Sequence, residues 1–232
     1  MSRPEGLSAQ EVYGLRISLA ERIGKNAEVI DQDTGFIRCI NVNVLTTPDI
    51  LRDSASVVTW GFLKRLHPDL TPNKVIAVQS HGVQFQTAIG LEADLLMPHS
   101  ERRDHSGSPL KPEVTYDHER GIVVVKGVPS VSKRGLYFDH VIFGLVPGET
   151  VVVADDFCAT GTATNIYRGM EQLGIKPVFV YMVAKDFPDI KEPQIGYRLL
   201  KQEGVAVYAS TILTDLLNGR VRATAVDVSG DF

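Results

Sequence analysis

Apolar and polar residues fall into blocks of different period along this chain, and the blocks predict its elements. Between Ser8 and Ile23, the apolar residues Val12, Leu15, Ile17, Leu19 and Ile23 recur at roughly helical spacing. Ser8 and Glu11 stand three residues apart ahead of that run, which is the pattern of a capping box. Residues 28–43 read as a strand and loop, with Phe36, Ile37 and Ile40 apolar. Thr47-Pro48-Asp49 opens a second helix reaching Leu66, because proline suits the first helical turn.

Short apolar runs then alternate with helical stretches. Residues 74–79 form a strand that meets Ser80-His81-Gly82, followed by a helix to Gly90 and a further strand over 93–97. The rhythm resumes at Thr150: strand 151–154, helix 162–173 ended by Gly174, strand 178–184, helix 189–203 with Gly204 after it, strand 205–209, and a helix near 214–217. This order predicts an α/β fold with a central, mainly parallel sheet flanked by helices.

Residues 99–137 break the rhythm. They are charged and turn-rich, and the apolar stretches 114–116 and 122–128 suit a hairpin over 117–121. So long an excursion reads as a lid or binding loop inserted into the domain. The chain therefore divides into an N-terminal helical extension (1–40) and a main domain (41–232) carrying an inserted hood over residues 99–137.

Composition narrows the class. Of 232 residues, 44% are hydrophobic and 22% charged, which predicts a globular chain with a substantial core. The net charge of −4 argues against nucleic-acid binding, which leaves a basic footprint. No apolar run approaches the ~20 residues of a membrane span, and the polar start lacks a signal peptide's apolar core, so the expected location is the cytoplasm. Cys39 and Cys158 read as free thiols.

The chemistry concentrates in 151–164. Four apolar residues, Val151 to Ala154, run into Asp155 and Asp156 and then into the small-residue loop Ala159-Thr160-Gly161-Thr162-Ala163. Ionised acids are costly to bury unpaired, so two of them at a strand end call for hydroxyls or a cation. A helix starting near Thr162 aims its free N–H groups and positive dipole end into the loop, which suits a phosphate. A ligand carrying both groups is a sugar phosphate.

This stretch resembles the signature of the type I phosphoribosyltransferases: an apolar strand, two acids, a small-residue loop and a helix. Within that family the chain looks most like the bacterial xanthine enzymes, over roughly 43–209. The resemblance implies transfer of 5-phosphoribose from phosphoribosyl diphosphate to a purine nitrogen, with release of diphosphate and assistance from magnesium. It implies no protein ligand to that metal. It also implies a homodimer, for which the N-terminal helix is a candidate interface.

The same resemblance distributes roles. Asp155 and Asp156 hold the ribose hydroxyls as the catalytic pair, and Ala159, Thr160, Gly161, Thr162 and Ala163 wrap the 5-phosphate. Ser80, His81 and Gly82 form the diphosphate loop. Arg102, Arg103 or His99 supply cationic charge where similar enzymes carry an arginine-lysine pair, and Lys133 and Arg134 occupy the position of a hood lysine. Lys185 faces a 6-oxo group, because an ammonium is donor-only. Phe157 or Phe187 stacks on the purine, and Asn43, with Asn41 nearby, contacts the base. Hypoxanthine-guanine enzymes place an acid where Ala159 stands; the xanthine and adenine enzymes have alanine. Two other readings share the motif. One is a regulator that binds phosphoribosyl diphosphate as a signal, although the segment before Asn43 is too short for a winged helix. The other is an enzyme for another base, such as adenine or orotate.

Overall fold

The computed structural model describes residues 6–27, 45, 47–78, 82–106, 113–129, 136–158, 166, 169–186, 196–217 and 220–224. Helix α1 spans Ala9–Asn26 and begins with the capping box read from the sequence. The Ser8 hydroxyl accepts from the Glu11 N–H at 3.3 Å, and the Glu11 carboxylate accepts from the Ser8 N–H at 2.8 Å. Its buried face is Val12, Arg16, Leu19, Ala20 and Ile23. Ile17, expected among the apolar face, is 39% exposed, and Arg16 takes the inward position. The Arg16 guanidinium lies 5.6 Å from the centre of the Tyr208 ring, so its charge rests on an aromatic face.

The helix expected over 47–66 divides. α2, Pro48–Ser56, carries proline in its first turn and is followed by a π-helical segment, Val57–Leu66. The wider turn brings Gly61 against α1, where a Cβ would lie 2.9 Å from Val12 Cγ1. Apolar spacing carries no signal of a change from α to π turns. Arg22 of α1 ties the two helices together, reaching Asp49 at 2.8 Å and Asp53 at 2.6 Å.

The central sheet has the order β1-β6-β7-β8-β9. β1 (Lys74–Ala77), β6 (Thr150–Cys158), β7 (Lys176–Lys185) and β8 (Val207–Leu217) are parallel, and β9 (Arg220–Thr224) closes antiparallel on β8. Two expectations fail here. Residues 93–97 form the end of α3 (Gly82–Ala93), a turn and a single bridge, Leu96 to Lys74, instead of a strand. Residues 214–217 continue β8 instead of starting a helix, because Asp215, Leu216 and Leu217 pair with β9. Four residues cannot repay the cost of nucleating a helix, while the run Thr211-Ile212-Leu213-Thr214 favours extended backbone.

Both sheet faces are covered, as a parallel sheet requires. On one face Val75, Val152, Val178 and Val180 pack with α1, α2, the π-helical segment and α3. On the other, Ile76, Val151, Val153, Phe179 and Tyr181 pack with Ile166, Met170 and the short helix α4 (Gly196–Gln202).

The charged excursion is a second sheet of order β2-β5-β4-β3, all antiparallel. Its strands are β2 (Ser100–Ser106), β3 (Glu113–Asp117), β4 (Ile122–Pro129) and β5 (Leu136–Ile142). The hairpin expected over 117–121 is β3–β4: Asp117 accepts from the N–H groups of Glu119 and Arg120, both at 3.1 Å, and Gly121 takes φ +61°. The hood is thus larger than read, ending at Ile142, and it has an apolar face. Val123, Val125, Phe138 and Ile142 are buried in the second core.

His140 of β5 is fully buried and its Nε2 lies 3.0 Å from the Ala77 carbonyl, to which it donates. Burial lowers its pKa from 6.5 to about 4. The unfolded chain therefore takes up this proton first as pH falls. The stabilisation is complete above pH 6.5, declines through the window from 6.5 to 4, and levels off below. This one group should lower folding stability by about 3 kcal/mol between pH 7.5 and pH 4, measured by denaturant titration as wild type minus His140→Gln. A difference that does not change with pH would show that His140 is not held neutral.

Candidate active site

The acids lie within β6, at its carboxyl end, where open α/β sheets bind ligands. Asp155 pairs in register with Tyr181, Phe157 with Val183 and Cys158 with Ala184. Ala154 belongs to the helix-covered core, yet Phe157, three residues later, packs against the same core. Strict alternation would put them on opposite faces, so the side-chain phase changes across the two acids.

Asp156 is 8% exposed and Asp155 is partly buried. Asp155 Oδ1 accepts the Asp156 backbone N–H at 3.0 Å. Burial, and then the neighbouring Asp156 carboxylate, hold the Asp155 carboxyl well above the usual carboxylate range. A cation or a set of hydroxyl donors at this edge would relieve both effects. The donors fit magnesium, a hard cation that takes one or two carboxylates and fills its remaining positions with water and phosphate oxygens. Among the described residues, no group of three or more histidine, cysteine or acidic side chains could hold a metal by itself.

The two described residues that flank the stretch 79–81, Val78 and Gly82, lie against the residue before the acids. The Val78 N–H donates to the Ala154 carbonyl at 3.0 Å. A Cβ on Gly82 would lie 2.8 Å from that same oxygen and 3.1 Å from Asp155 Oδ1. Both ends of the stretch 79–81 are thereby held against the residue that precedes the acids, and Gly82 is glycine because no side chain fits.

Lys185 ends β7 and is 5% exposed. Its ammonium lies 5.3 Å from the centre of the Phe157 ring, so two residues expected at the base stand together. Next to them Asp186 pairs with Arg198 of α4 at 2.8 Å. Cys158 is a free, buried thiol that burial pushes far above its usual range, the setting of a structural cysteine.

Arg102 and Arg103 lie on β2. Arg102 bonds Asp104 at 2.6 Å and rests 4.2 Å from the centre of the Phe138 ring, while Arg103 pairs with Glu101 at 3.0 Å. His99 precedes β2, with its Nε2 3.4 Å from Glu101. Asn41, Asn43, Ser80, His81, Lys133, Arg134, Ala159, Thr160, Gly161, Thr162, Ala163 and Phe187 fall outside the described residues.

Sequence reasoning passed over three residues that frame this edge. The buried Gln86 amide donates to the carbonyls of Val75 at 2.8 Å and Pro98 at 3.1 Å. Ser100 donates to Ala77 O at 3.2 Å, and His140 donates to the same oxygen. None of the three announced itself in the sequence, because each bonds a backbone carbonyl.

The raised Asp155 carboxyl means that stability falls as pH rises from the unfolded value toward the folded one, because the folded state retains the proton longer. Asp155→Asn keeps the acceptor for Asp156 N–H and removes the buried charge. It should raise Tm at pH 7.5 by at least about 2 °C and flatten the decline above pH 4, as read by differential scanning calorimetry. An unchanged or lower Tm would contradict this account of the pair.

No family model matches the chain. A curated relative, HGPRTase-like protein 2 of Natrialba magadii, is 27% identical over 107 residues, which are 46% of this chain and 50% of the relative. The chain thus matches about half of that relative's length. Among solved structures, adenine phosphoribosyltransferase from Leishmania donovani aligns with TM-score 0.56 and 14% identity, over 85% of this chain and 80% of that one. The enzyme from Thermoanaerobacter pseudethanolicus aligns with TM-score 0.53 and 15% identity, over 84% and 99%. The Trypanosoma brucei enzyme, solved with AMP, pyrophosphate and ribose-5-phosphate, aligns with TM-score 0.56 and 13% identity, over 89% and 82%. The chain has the fold of the phosphoribosyltransferases of known structure.

Proposed function

We propose that this protein is a purine phosphoribosyltransferase, acting on xanthine or a related 6-oxopurine. It moves 5-phosphoribose from phosphoribosyl diphosphate to a ring nitrogen and releases diphosphate. The observation that carries the reading is the convergence beside the acids: the Val78 N–H bonds the carbonyl of Ala154, the residue before them, and Gly82 lies so close that a Cβ there would meet both that oxygen and Asp155 Oδ1. A sugar bearing hydroxyls and a diphosphate needs those two surfaces side by side.

The chemistry asks the protein for placement and for charge stabilisation. Departure of diphosphate leaves positive charge on the ribose ring and gathers negative charge on the leaving oxygens. Asp155 and Asp156 hold the ribose hydroxyls and fix the ring. The loop 159–163 receives the 5-phosphate, and Ser80, His81 and Gly82 receive the diphosphate. Asp155 and Asp156 would hold a magnesium ion together with the substrate, and the ion would supply charge neutralisation on the diphosphate. Arg102 and Arg103 reach the leaving group by exchanging exposed carboxylate partners, which hold them weakly.

Lys185 supports the choice of base. Its buried ammonium is donor-only, which matches the acceptor that a 6-oxo group presents. The amino group of adenine would set a donor against that donor. Asn43, Phe157 and Phe187 complete the base site in this reading. The protein acts as a homodimer in the cytoplasm. Among the described residues no helix is long and apolar enough to cross a membrane.

Two measurements test the proposal. Diphosphate release assayed with xanthine, guanine, hypoxanthine, adenine, orotate and uracil should favour an oxopurine, and Asp156→Ala should lower kcat/KM by about 10²-fold or more. Adenine or orotate as sole substrate would overturn the choice of base, and full activity in Asp156→Ala would overturn the ribose site. Gly82→Ala should cost at least about tenfold in kcat/KM at unchanged fold by circular dichroism, since its methyl group displaces Ala154 O or Asp155. Wild-type kinetics in that variant would show that the close approach has no role.

A further inference from the structure

The carbonyl of Ala77, the last residue of β1, accepts from two buried side chains of the antiparallel sheet. His140 Nε2 lies 3.0 Å away and Ser100 Oγ 3.2 Å away. His140 is 0% exposed and Ser100 3%. On the side away from β6, β1 makes only the single bridge from Lys74 to Leu96 among the described residues, so this carbonyl has no strand partner there. One residue later the Val78 N–H bonds Ala154 O, and the chain returns at Gly82 against that same atom. The two donors therefore fix the departure point of the stretch 79–81 from outside, while β6 fixes it from inside.

We propose that His140 is a positioning residue for the diphosphate loop: through Ala77 it sets where the loop leaves β1, and so the affinity for diphosphate oxygens. The inference rests on the phosphoribosyltransferase reading given above. The histidine touches no substrate, and its role is geometric. A neutral imidazole suits the place because it donates one N–H to a carbonyl without bringing a charge into the apolar core of Val123, Val125 and Phe138. The other ring nitrogen, Nδ1, is buried and has no hydrogen-bond partner. Keeping such a group in a core strand costs stability that a leucine would not. That cost marks the Nε2 contact with Ala77 as the part the fold retains.

The same link joins the hood to the parallel sheet. Gln86 binds Val75 O and Pro98 O, so α3, β1 and the start of β2 are cross-linked just below Ala77. A shift of the antiparallel sheet must therefore move the start of the loop.

The test is calorimetric titration of wild type, His140→Leu, His140→Gln and Ser100→Ala with three probes, each with magnesium: phosphoribosyl diphosphate, inorganic diphosphate and ribose 5-phosphate. His140→Leu should weaken the first two by about tenfold and leave ribose 5-phosphate within about twofold. His140→Gln, whose amide nitrogen reaches the Nε2 position, should recover most of the loss. Ser100→Ala should show the same selectivity at about threefold, and it carries the test if the leucine variant does not fold. Equal weakening of all three probes, or none, with wild type binding normally, would overturn the positioning role alone. A wild type that binds neither phosphoribosyl diphosphate nor ribose 5-phosphate would overturn the functional reading and this inference with it.

Discussion

Two adjacent carboxylates at the end of a buried strand are the constraint around which the rest of the site is arranged. Asp155 and Asp156 cannot both be comfortable there, because burial and mutual repulsion each favour the protonated acid. The tension is not relieved by any basic side chain seen bonded to them among the described residues. It is concentrated at the point where β6 leaves the sheet and where Val78 and Gly82 close on Ala154. A strand end built this way suits a partner with hydroxyls or a cation.

The surrounding fold holds that point rigidly. Both faces of the parallel sheet are buried, so β6 cannot shift without disturbing two cores. The hood sheet is fastened to β1 by Gln86, Ser100 and His140, three buried polar side chains that all bond main-chain carbonyls. Polar anchors of this kind fix register and orientation in a way that apolar contact does not.

Much of this could be read from residue order. The capping box at Ser8 and Glu11, the β3–β4 hairpin, β1, β6 and β7 all announce themselves through local chemistry and period. The failures share a cause. Residues 214–217 look helical in isolation but are paired across to β9, a partner that no short window contains. Residues 93–97 look like a strand because they are apolar, yet Leu96 is 65% exposed and makes only a single bridge. The π-helical segment keeps the composition of an α-helix, so its wider turns are invisible until Gly61 is seen against Val12. At the candidate site, the placement of the acids, Gly82, Phe157 and Lys185 near strand ends was legible, because strand ends followed by small or polar residues are unusual. His140 and Gln86 were not, because their partners are backbone carbonyls, and a carbonyl carries no sequence signal.

The central claim is that the carboxyl edge of β6 and the stretch leading from β1 to Gly82 form one sugar-diphosphate site. A crystal structure of the protein grown with phosphoribosyl diphosphate and magnesium tests it most directly. The account predicts ribose hydroxyl oxygens within about 3 Å of the Asp155 and Asp156 carboxylates, with diphosphate oxygens against the 80–82 backbone. Ligand density elsewhere on the molecule, with the β6 edge empty, would contradict it.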